Sequence, residues 1–282
     1  MKLIKVAPTQ QFTRTLIANA LIVGALTLSL GCNFPVQAQL DEQAQPAAPA
    51  PSKPPIGSAA LPTEPVPADA PGYKEINAFW EADKKQMPPT GAVLFMGSSS
   101  IRMWDTLAKD FSEIPVINRG FGGSIIEEST RYLDRIAIPY KPKMIVLAAG
   151  TNDLAYGGKN PQSVLQEFKD FAAKIHASLP DTRIIYISIN PTVSRWNQEG
   201  AILETNYLIE RFIFENSKTQ KLNFINSHAQ ILTADGQPQL NLLRDDKLHF
   251  NTEGYKVWTS IVKPRVMALA TIDGVQRLDT PK

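Results

Sequence analysis

Four short segments of the chain combine serine, aspartate, asparagine or histidine with glycine or charged neighbours. They are Gly97-Ser98-Ser99-Ser100-Ile101-Arg102, residues 118–123, Gly150-Thr151-Asn152-Asp153 and residues 245–249. A serine hydroxyl is a poor nucleophile unless a neighbouring base, often histidine, takes its proton. A serine run behind a glycine can instead cap a helix or hold a phosphate at a helix start. The residue types therefore allow nucleophilic catalysis, a structural cap or phosphate binding.

Five apolar runs predict the strands that must position these segments. The runs lie at residues 92–96, 116–117, 144–147, 184–189 and 223–226. Continuous apolar character indicates strands covered on both faces, as in parallel sheets. Strands and helical segments alternate along the chain. This alternation predicts a three-layer α/β/α fold, with a flavodoxin-like, five-stranded, doubly wound parallel sheet.

The spacing of apolar residues predicts two helices. Apolar residues recur at helical spacing over 161–179. A last helix begins near Asn251 and carries Tyr255, Trp258 and Val262 on one face before Pro264. Such spacing gives one apolar stripe along each helix.

Four of the five predicted strands lead into one of the polar segments. Ligands of open parallel sheets bind beyond the carboxyl ends of the strands. The four segments are therefore expected to meet at one edge of the sheet.

These segments, in this order, resemble the four sequence blocks of the SGNH or GDSL family of serine hydrolases over about residues 90–265. The resemblance implies the SGNH hydrolase fold and the chemistry of a catalytic triad. In that reading Ser99 is the nucleophile, His249 is its base, and Asp246 orients the histidine. Asp245 is the alternative partner of the histidine.

The same resemblance implies an oxyanion hole. Its donors are the backbone N–H groups of Ser99 and Gly123 and the side-chain amide of Asn152. Ser98 stands where the family usually has aspartate. Because that aspartate is not a member of the triad, the difference is expected to affect the geometry of the loop more than catalysis. Lys247 stands where many relatives have glycine, and it is a candidate for binding an anionic substrate.

The function predicted from these residues is a serine esterase or acylhydrolase that needs no metal or organic cofactor. Short-chain acyl esters, lysophospholipids and O-acetylated glycans are the substrate classes that the resemblance implies. Arg195 and Trp196, which follow the fourth strand, are candidate substrate-binding residues. Two other histidines are expected to be structural: His176 lies within an amphipathic helix far from any strand end, and His228 has no paired carboxylate nearby in the sequence.

Two other functions remain open at this point. A binding domain of the cell envelope with the same fold would hold a glycan or lipid without turning it over. A phosphate-cradling loop at Gly97–Ser100 would suit a flavin-binding protein, but it leaves Asn152, Asp246 and His249 without a role.

The N-terminus has the pattern of an export signal. Lys2, Lys5 and Arg14 precede an apolar run at residues 16–30, and small residues at 36–38 suit cleavage after Ala38. A run of about 15 residues is shorter than the roughly 20 that span a bilayer. A lipoprotein signal ending at Gly31, with acylated Cys32 as a membrane tether, and an uncleaved anchor are the alternatives. All three predict a periplasmic or extracellular protein.

Residues 39–71 hold nine prolines and eight alanines and predict a disordered linker. The hydrolase domain is expected over 72–270, and a C-terminal tail over 271–282.

Charge and cysteine content exclude some classes of binding partner and cross-link. The net charge of +2 becomes −1 when residues 1–38, with three basic and no acidic residues, are left out. A near-neutral protein lacks the basic surface that binds nucleic acid. One cysteine rules out an internal disulfide. A monomer is expected, because helices cover both faces of the sheet.

Overall fold

Five buried strands form the centre of the structure. The computed structural model of the protein describes residues 61–278. The strands are β1 (Val93–Gly97), β2 (Val116–Gly120), β3 (Met144–Ala148), β4 (Arg183–Ile187) and β5 (Leu222–Ile225). They are all parallel and lie in the order β2-β1-β3-β4-β5. This is the flavodoxin-like, doubly wound order, so the predicted fold is confirmed.

Helices cover both faces of this sheet. The longer ones are α1 (Tyr73–Lys85), α7 (Pro161–Ser178), α8 (Glu199–Asn216) and α9 (Thr252–Ile272). The shorter ones are α2 (Ser99–Arg102), α3 (Leu107–Asp110), α4 (Ile126–Arg131), α5 (Leu133–Ile136) and α6 (Thr151–Ala155). Four 3₁₀ turns join them, at Ile138–Tyr140, Val193–Gln198, His228–Ile231 and Leu240–Leu242.

The position of each strand in the sheet explains its sequence. β1 and β3 lie inside the sheet and are buried at every residue. The edge strands β2 and β5 carry partly exposed polar residues such as Asn118 and Asn223. A central strand is covered on both faces and must be apolar throughout, whereas an edge strand is less completely covered.

Successive strand residues point to opposite faces of the sheet and supply two cores. Leu94 and Met96 pack with α1, α4, α5, α7 and α8 on one face. Val93 and Phe95 pack with α2, α3 and α9 on the other. Burial of these apolar side chains is the main favourable contribution to the stability of the fold.

Helix α9 continues through Pro264 to Ile272 rather than ending before the proline. Proline removes the N–H that would bond to the carbonyl of Ser260. Both residues lie on the exposed side of the helix, where water can bond to that carbonyl. Val266 and Leu269 beyond the proline are buried, which stabilises the continued helix.

Residues on both sides of the predicted domain pack against it. Residues 61–71, predicted as part of the linker, pack against α1 through buried Val66. Asn77 bonds to both backbone groups of Val66 at 2.7 and 2.8 Å, and the indole of Trp80 donates to Pro62 at 2.8 Å. Beyond residue 270, Val275 is buried as well. Proline-rich composition predicts missing regular structure, but it does not exclude packing.

The predicted signal segment, Cys32 and residues 39–60 of the predicted linker lie outside the described residues. Within residues 61–278, no helix is long and apolar enough to cross a membrane.

Asn77→Ala is expected to lower the free energy of unfolding by about 1–3 kcal/mol, because two backbone groups of Val66 lose their partner. Denaturant unfolding measures this effect. Asn241→Ala is the control, since that exposed side chain makes no hydrogen bond to the described part of the chain. Equal stability of the two variants would show that residues 61–71 do not pack on α1.

Candidate active site

The four polar segments do meet at the carboxyl edge of the sheet. Ser99 follows β1, Gly123 follows β2 and Asn152 follows β3. Asp246 and His249 lie in the loop that leads into α9. In this strand order the switch point of the topology lies between β1 and β3, which is where ligands of doubly wound sheets bind.

A sharp turn presents Ser99 at the first position of α2. Gly97 has φ 134°, and a Cβ there would lie 2.0 Å from the carbonyl oxygen of Ala148. The next residue, Ser98, is buried and donates its N–H to the same carbonyl at 3.2 Å. Its own carbonyl accepts from the N–H groups of Ile101 and Arg102. Backbone hydrogen bonds of Ser98 therefore hold this turn, although the family usually has aspartate at that position.

Ser99, His249 and Asp246 form one hydrogen-bonded chain. The hydroxyl of Ser99 lies 2.8 Å from Nε2 of His249, and Nδ1 of the ring lies 2.7 Å from a carboxylate oxygen of Asp246. An ionised carboxylate only accepts hydrogen bonds, so Nδ1 carries the hydrogen and Nε2 accepts from the serine. This is the arrangement in which histidine can remove the proton of a serine nucleophile.

The loop around Asp246 holds its carboxylate in the ionised form. The other carboxylate oxygen accepts the N–H groups of Leu248 and His249, both at 2.9 Å. Partial burial raises the pKa of Asp246, but the bonds from the His249 ring and the two N–H groups outweigh it and lower the pKa to about 2. Lys247 has φ 57° in this turn, a conformation that favours glycine. Asp245 is exposed and takes no part in the chain of hydrogen bonds.

Aromatic packing joins the helix of the serine to the helix behind the histidine. Trp104, just after α2, is buried and lies 5.9 Å from the ring of Tyr255 and 4.9 Å from that of Trp258, both on α9. The hydroxyl of Tyr255 donates to the carbonyl of Ser100 at 2.8 Å. Phe250, next to His249, packs on the same two α9 rings. These contacts set the distance between the serine and the histidine.

Three hydrogen-bond donors that follow β1, β2 and β3 have capacity left for a ligand. Within residues 61–278, the N–H groups of Ser99 and Gly123 have no protein acceptor. Gly123 has φ 74°, and a Cβ there would meet nothing within 4 Å. The buried amide of Asn152 gives one hydrogen to the carbonyl of Ser124 at 3.0 Å. Its Oδ1 accepts from the hydroxyl of Tyr156 at 2.6 Å, so its second N–H hydrogen is free for a ligand.

Two carboxylates hold the loop that carries Gly123. Glu75 on α1 accepts the N–H of Gly122 at 3.2 Å, and Asp153 accepts the N–H of Ile126 at 3.0 Å. No sequence pattern indicated Glu75, which lies 47 residues from its partner. The geometry of the loop therefore depends on a helix that precedes the four polar segments.

Asp153 also forms a buried carboxyl pair with Glu167. Burial and this second carboxyl raise the pKa of Asp153 to about 7, against a bond from Ile126 that lowers it. One oxygen of each carboxyl is buried without another partner in the described residues. The proton that Asp153 retains through its raised pKa can bridge the two carboxyls, and Lys159 pairs with Glu167 on its other side.

A small cavity of about 50 Å³ opens beside the serine. The cavity is small, and it is open to solvent on one side. Its wall combines backbone and small polar side chains with a few apolar groups. The lining residues are Ser98, Ser99, Ser100, Ala148, Ala149, Thr151, Asn152, Ser188, Ile189, Asn190, Thr192, Leu248, His249, Phe250 and Trp258.

The three predicted substrate-binding residues do not line this cavity. The guanidinium of Arg195 lies 4.8 Å from the centre of the Tyr156 ring. Trp196 is half-buried on the same 3₁₀ turn. Lys247 has an exposed side chain, and its carbonyl accepts the N–H of Ser194, which joins its loop to that turn.

The two other histidines lie apart from the triad. His228 is buried, and its Nε2 lies 2.9 Å from a carboxylate oxygen of Glu199 at the start of α8. The sequence pattern did not indicate this carboxylate, because it comes from a different element. His176 bonds to the carbonyl of Thr182 at 3.1 Å. In the described residues, no three His, Cys, Asp or Glu side chains group in a way that could hold a metal ion.

The stability of the protein should decrease as the pH rises from about 4 to 8. The folded pKa of Asp153, about 7, exceeds its ordinary value of 3.8, so the folded state binds this proton more tightly. Its contribution is complete below pH 3.8 and is lost as the pH rises through 7. Asp153→Asn should weaken this dependence, as measured by denaturant unfolding at pH 5 and pH 8.

Asp69→Asn, at an exposed residue, is the matched control and should keep the dependence of the natural protein. An unchanged pH dependence in Asp153→Asn would contradict the shared proton.

Comparison with known proteins agrees with this geometry. Residues 93–257 match the GDSL-like Lipase/Acylhydrolase family. The match spans more than half of the 282-residue chain and includes Ser99, Gly123, Asn152, Asp246 and His249. A comparison with curated proteins gives no match.

Solved structures with the same fold include three esterases or lipases. A GDSL-like lipase from Bacteroides thetaiotaomicron is 20% identical, with a TM-score of 0.57 over 69% of this chain and 98% of that one. A lipase/acylhydrolase from Enterococcus faecalis is 17% identical, with a TM-score of 0.51 over 68% and 100%. A carbohydrate esterase of family 3 from Talaromyces cellulolyticus is 17% identical, with a TM-score of 0.51 over 64% and 97%. With the family match over the residues of the site, the chain belongs to the GDSL-like lipase/acylhydrolase family.

Proposed function

We propose that the protein is a serine esterase that removes small acyl groups from alcohols through an acyl-enzyme on Ser99. The observation that carries the proposal is the continuous hydrogen-bonded chain from Asp246 through His249 to Ser99, with distances of 2.7 and 2.8 Å. Serine is reactive only with such a base, and the base needs a fixed orientation.

In the first half of the reaction, Ser99 Oγ attacks the carbonyl carbon of the ester while Nε2 of His249 takes its proton. Asp246, ionised because its pKa is about 2, stabilises the positive charge on the ring. The negative charge on the former carbonyl oxygen faces the N–H groups of Ser99 and Gly123 and the amide of Asn152. The bond to the alcohol then breaks, and His249 returns the proton to the departing oxygen.

In the second half, a water molecule attacks the acyl-enzyme. His249 takes a proton from this water, the same donors hold the second tetrahedral intermediate, and the bond to Ser99 breaks. The acid leaves and the serine regains its proton from the histidine. No step needs a group from outside the chain other than ester and water.

The size of the cavity indicates which acyl groups fit. A cavity of about 50 Å³ beside the serine is small, which favours an acetyl or propionyl group over a long acyl chain. The acyl chain of a lysophospholipid is much longer than this space. Among the three substrate classes that the sequence suggests, acetylated or other short-chain esters are therefore favoured, and a glycan is one alcohol that can carry them. One protein of similar fold is an acetyl esterase solved with an acetate ion.

Hydrolysis of p-nitrophenyl esters tests both parts of the proposal. The acetate should be cleaved with a kcat/KM at least about ten-fold above that of the octanoate, because the small cavity can bury the acetyl group but not the whole longer chain. Ser99→Ala should lower kcat by about 10⁴-fold or more. Ser112→Ala is the control, and it should stay within about three-fold of the natural protein, since this exposed side chain lies outside the triad and the cavity.

Octanoate cleaved faster than acetate would contradict the small acyl site. Ester binding without turnover would favour the non-catalytic binding domain.

The two neighbouring aspartates should differ sharply. Asp246→Asn is expected to lower kcat by about 10³–10⁴-fold, because the amide no longer stabilises the charged histidine in its working tautomer. Asp245→Asn should change kcat less than about two-fold, since this exposed carboxylate makes no bond to the ring. Steady-state kinetics with p-nitrophenyl acetate measure both values. Losses of equal size would contradict the assignment of Asp246.

A further inference from the structure

Tyr156 is an exposed tyrosine whose hydroxyl bonds inward. Its side chain lies one helical turn after Asn152 and is among the most exposed large side chains of the described residues, at 61%. Its hydroxyl donates to Oδ1 of Asn152, which is only 3% exposed, at 2.6 Å. The N–H of Tyr156 also bonds to the carbonyl of Asn152 at 3.0 Å, so Tyr156 closes the last turn of α6 beside the buried amide.

The contacts of Asn152 allow only one orientation of its amide. The carbonyl oxygen of Ser124 is an acceptor, so the NH₂ group must face it, as the 3.0 Å distance shows. Oδ1 then faces Tyr156 and accepts from its hydroxyl. A flipped amide would place Oδ1 against the oxygen of Ser124, and two acceptors repel each other. Tyr156 and Ser124 thus hold the free N–H of the amide in one direction.

The bond from Tyr156 also changes the strength of the free donor. A hydrogen bond accepted at the oxygen of an amide polarises the group and makes its N–H a better donor. That N–H is one of the three groups proposed to hold the oxyanion. The negative charge on the oxyanion makes this a charge-assisted bond, which is stronger than a neutral one.

A second contact holds the ring of Tyr156 in place. The guanidinium of Arg195 stacks on it at 4.8 Å, and the turn that carries Arg195 is joined to the catalytic loop through Ser194 and Lys247. Cation–π contact of this kind stabilises the ring without using its hydroxyl. The hydroxyl therefore remains directed at Asn152 while the ring stays in place.

We propose that Tyr156 is a positioning residue that orients and polarises the amide of Asn152 toward the oxyanion. This inference rests on the proposed function, because it needs Asn152 to hold the oxyanion. Tyr156 itself does not touch the reacting atoms, and its effect should appear in kcat rather than in KM.

Tyr156→Phe isolates the hydroxyl, since the ring and its stack on Arg195 remain. With p-nitrophenyl acetate, kcat should fall about three- to ten-fold, as expected for one lost hydrogen bond. KM should stay within about two-fold, because the ester is neutral in the ground state. Tyr207→Phe on α8, at a tyrosine that is 59% exposed, is the matched control and should leave kcat unchanged.

The same substitution in an Asn152→Ala background separates positioning from a structural effect. Asn152→Ala alone should lower kcat about 10²–10³-fold, and adding Tyr156→Phe should then cost no more than about two-fold. The Asn152 side-chain amide protons should also move in the NMR spectrum of Tyr156→Phe and stay in place in Tyr207→Phe. A loss that persists at full size without Asn152 would overturn the inference.

The rate at which a fluorophosphonate labels Ser99 can be measured without ester turnover. The P=O oxygen of this reagent would bind the same three donors that are proposed to hold the oxyanion. Slower labelling in Tyr156→Phe supports the inference. Equal kcat and equal labelling rates in the natural protein and Tyr156→Phe would overturn the inference on Tyr156 and leave the proposed function intact. A Ser99 that neither turns over ester nor takes the label overturns the proposed function and the inference together.

Discussion

The hydrogen bond between Ser99 and His249 joins side chains 150 residues apart, and the candidate site depends on it. It forms because the carboxyl end of β1 and the loop that leads into α9 lie at the same edge of the sheet. Packing then sets its length. The aromatic rings of Trp104, Tyr255 and Trp258 fill the space between α2 and α9, and their burial stabilises the approach of the two helices. Loss of this aromatic packing would change the distance between Ser99 and His249, even with both residues unchanged.

The loop around Gly123 is held in a different way, by polar contacts. Glu75, Asp153 and the carbonyl of Gly97 bond to its backbone or to Ser124. Of these partners, Glu75 belongs to α1, which precedes the residues matched by the family. Residues 61–71 in turn pack on α1. The loop around Gly123 thus depends on a part of the chain outside the four sequence blocks.

The sequence predicts the strands and their parallel arrangement because these signals are local, and the resemblance to the family supplies the five residues of the candidate site. Each strand is a short apolar run, and three of the four blocks follow a strand directly, while the fourth lies in the loop before α9. Glu199 beside His228, and Glu75 beside Gly122, come from other elements, and no spacing rule connects them. Pro264 is a helix breaker by local rules, yet burial of Val266 and Leu269 outweighs its cost. Tyr156, four residues after Asn152, is the one missed residue whose helical spacing was a usable signal.

The central claim is that Ser99 carries the acyl group during the reaction. Mass spectrometry of protein quenched during turnover of p-nitrophenyl acetate tests it most directly. We expect one acetyl group on the peptide that contains Ser99, assigned to that serine by fragmentation, lost once the ester is exhausted and absent from Ser99→Ala. An acetyl group that turns over on Ser98, Ser100 or another residue, or undiminished turnover in Ser99→Ala, would contradict the account.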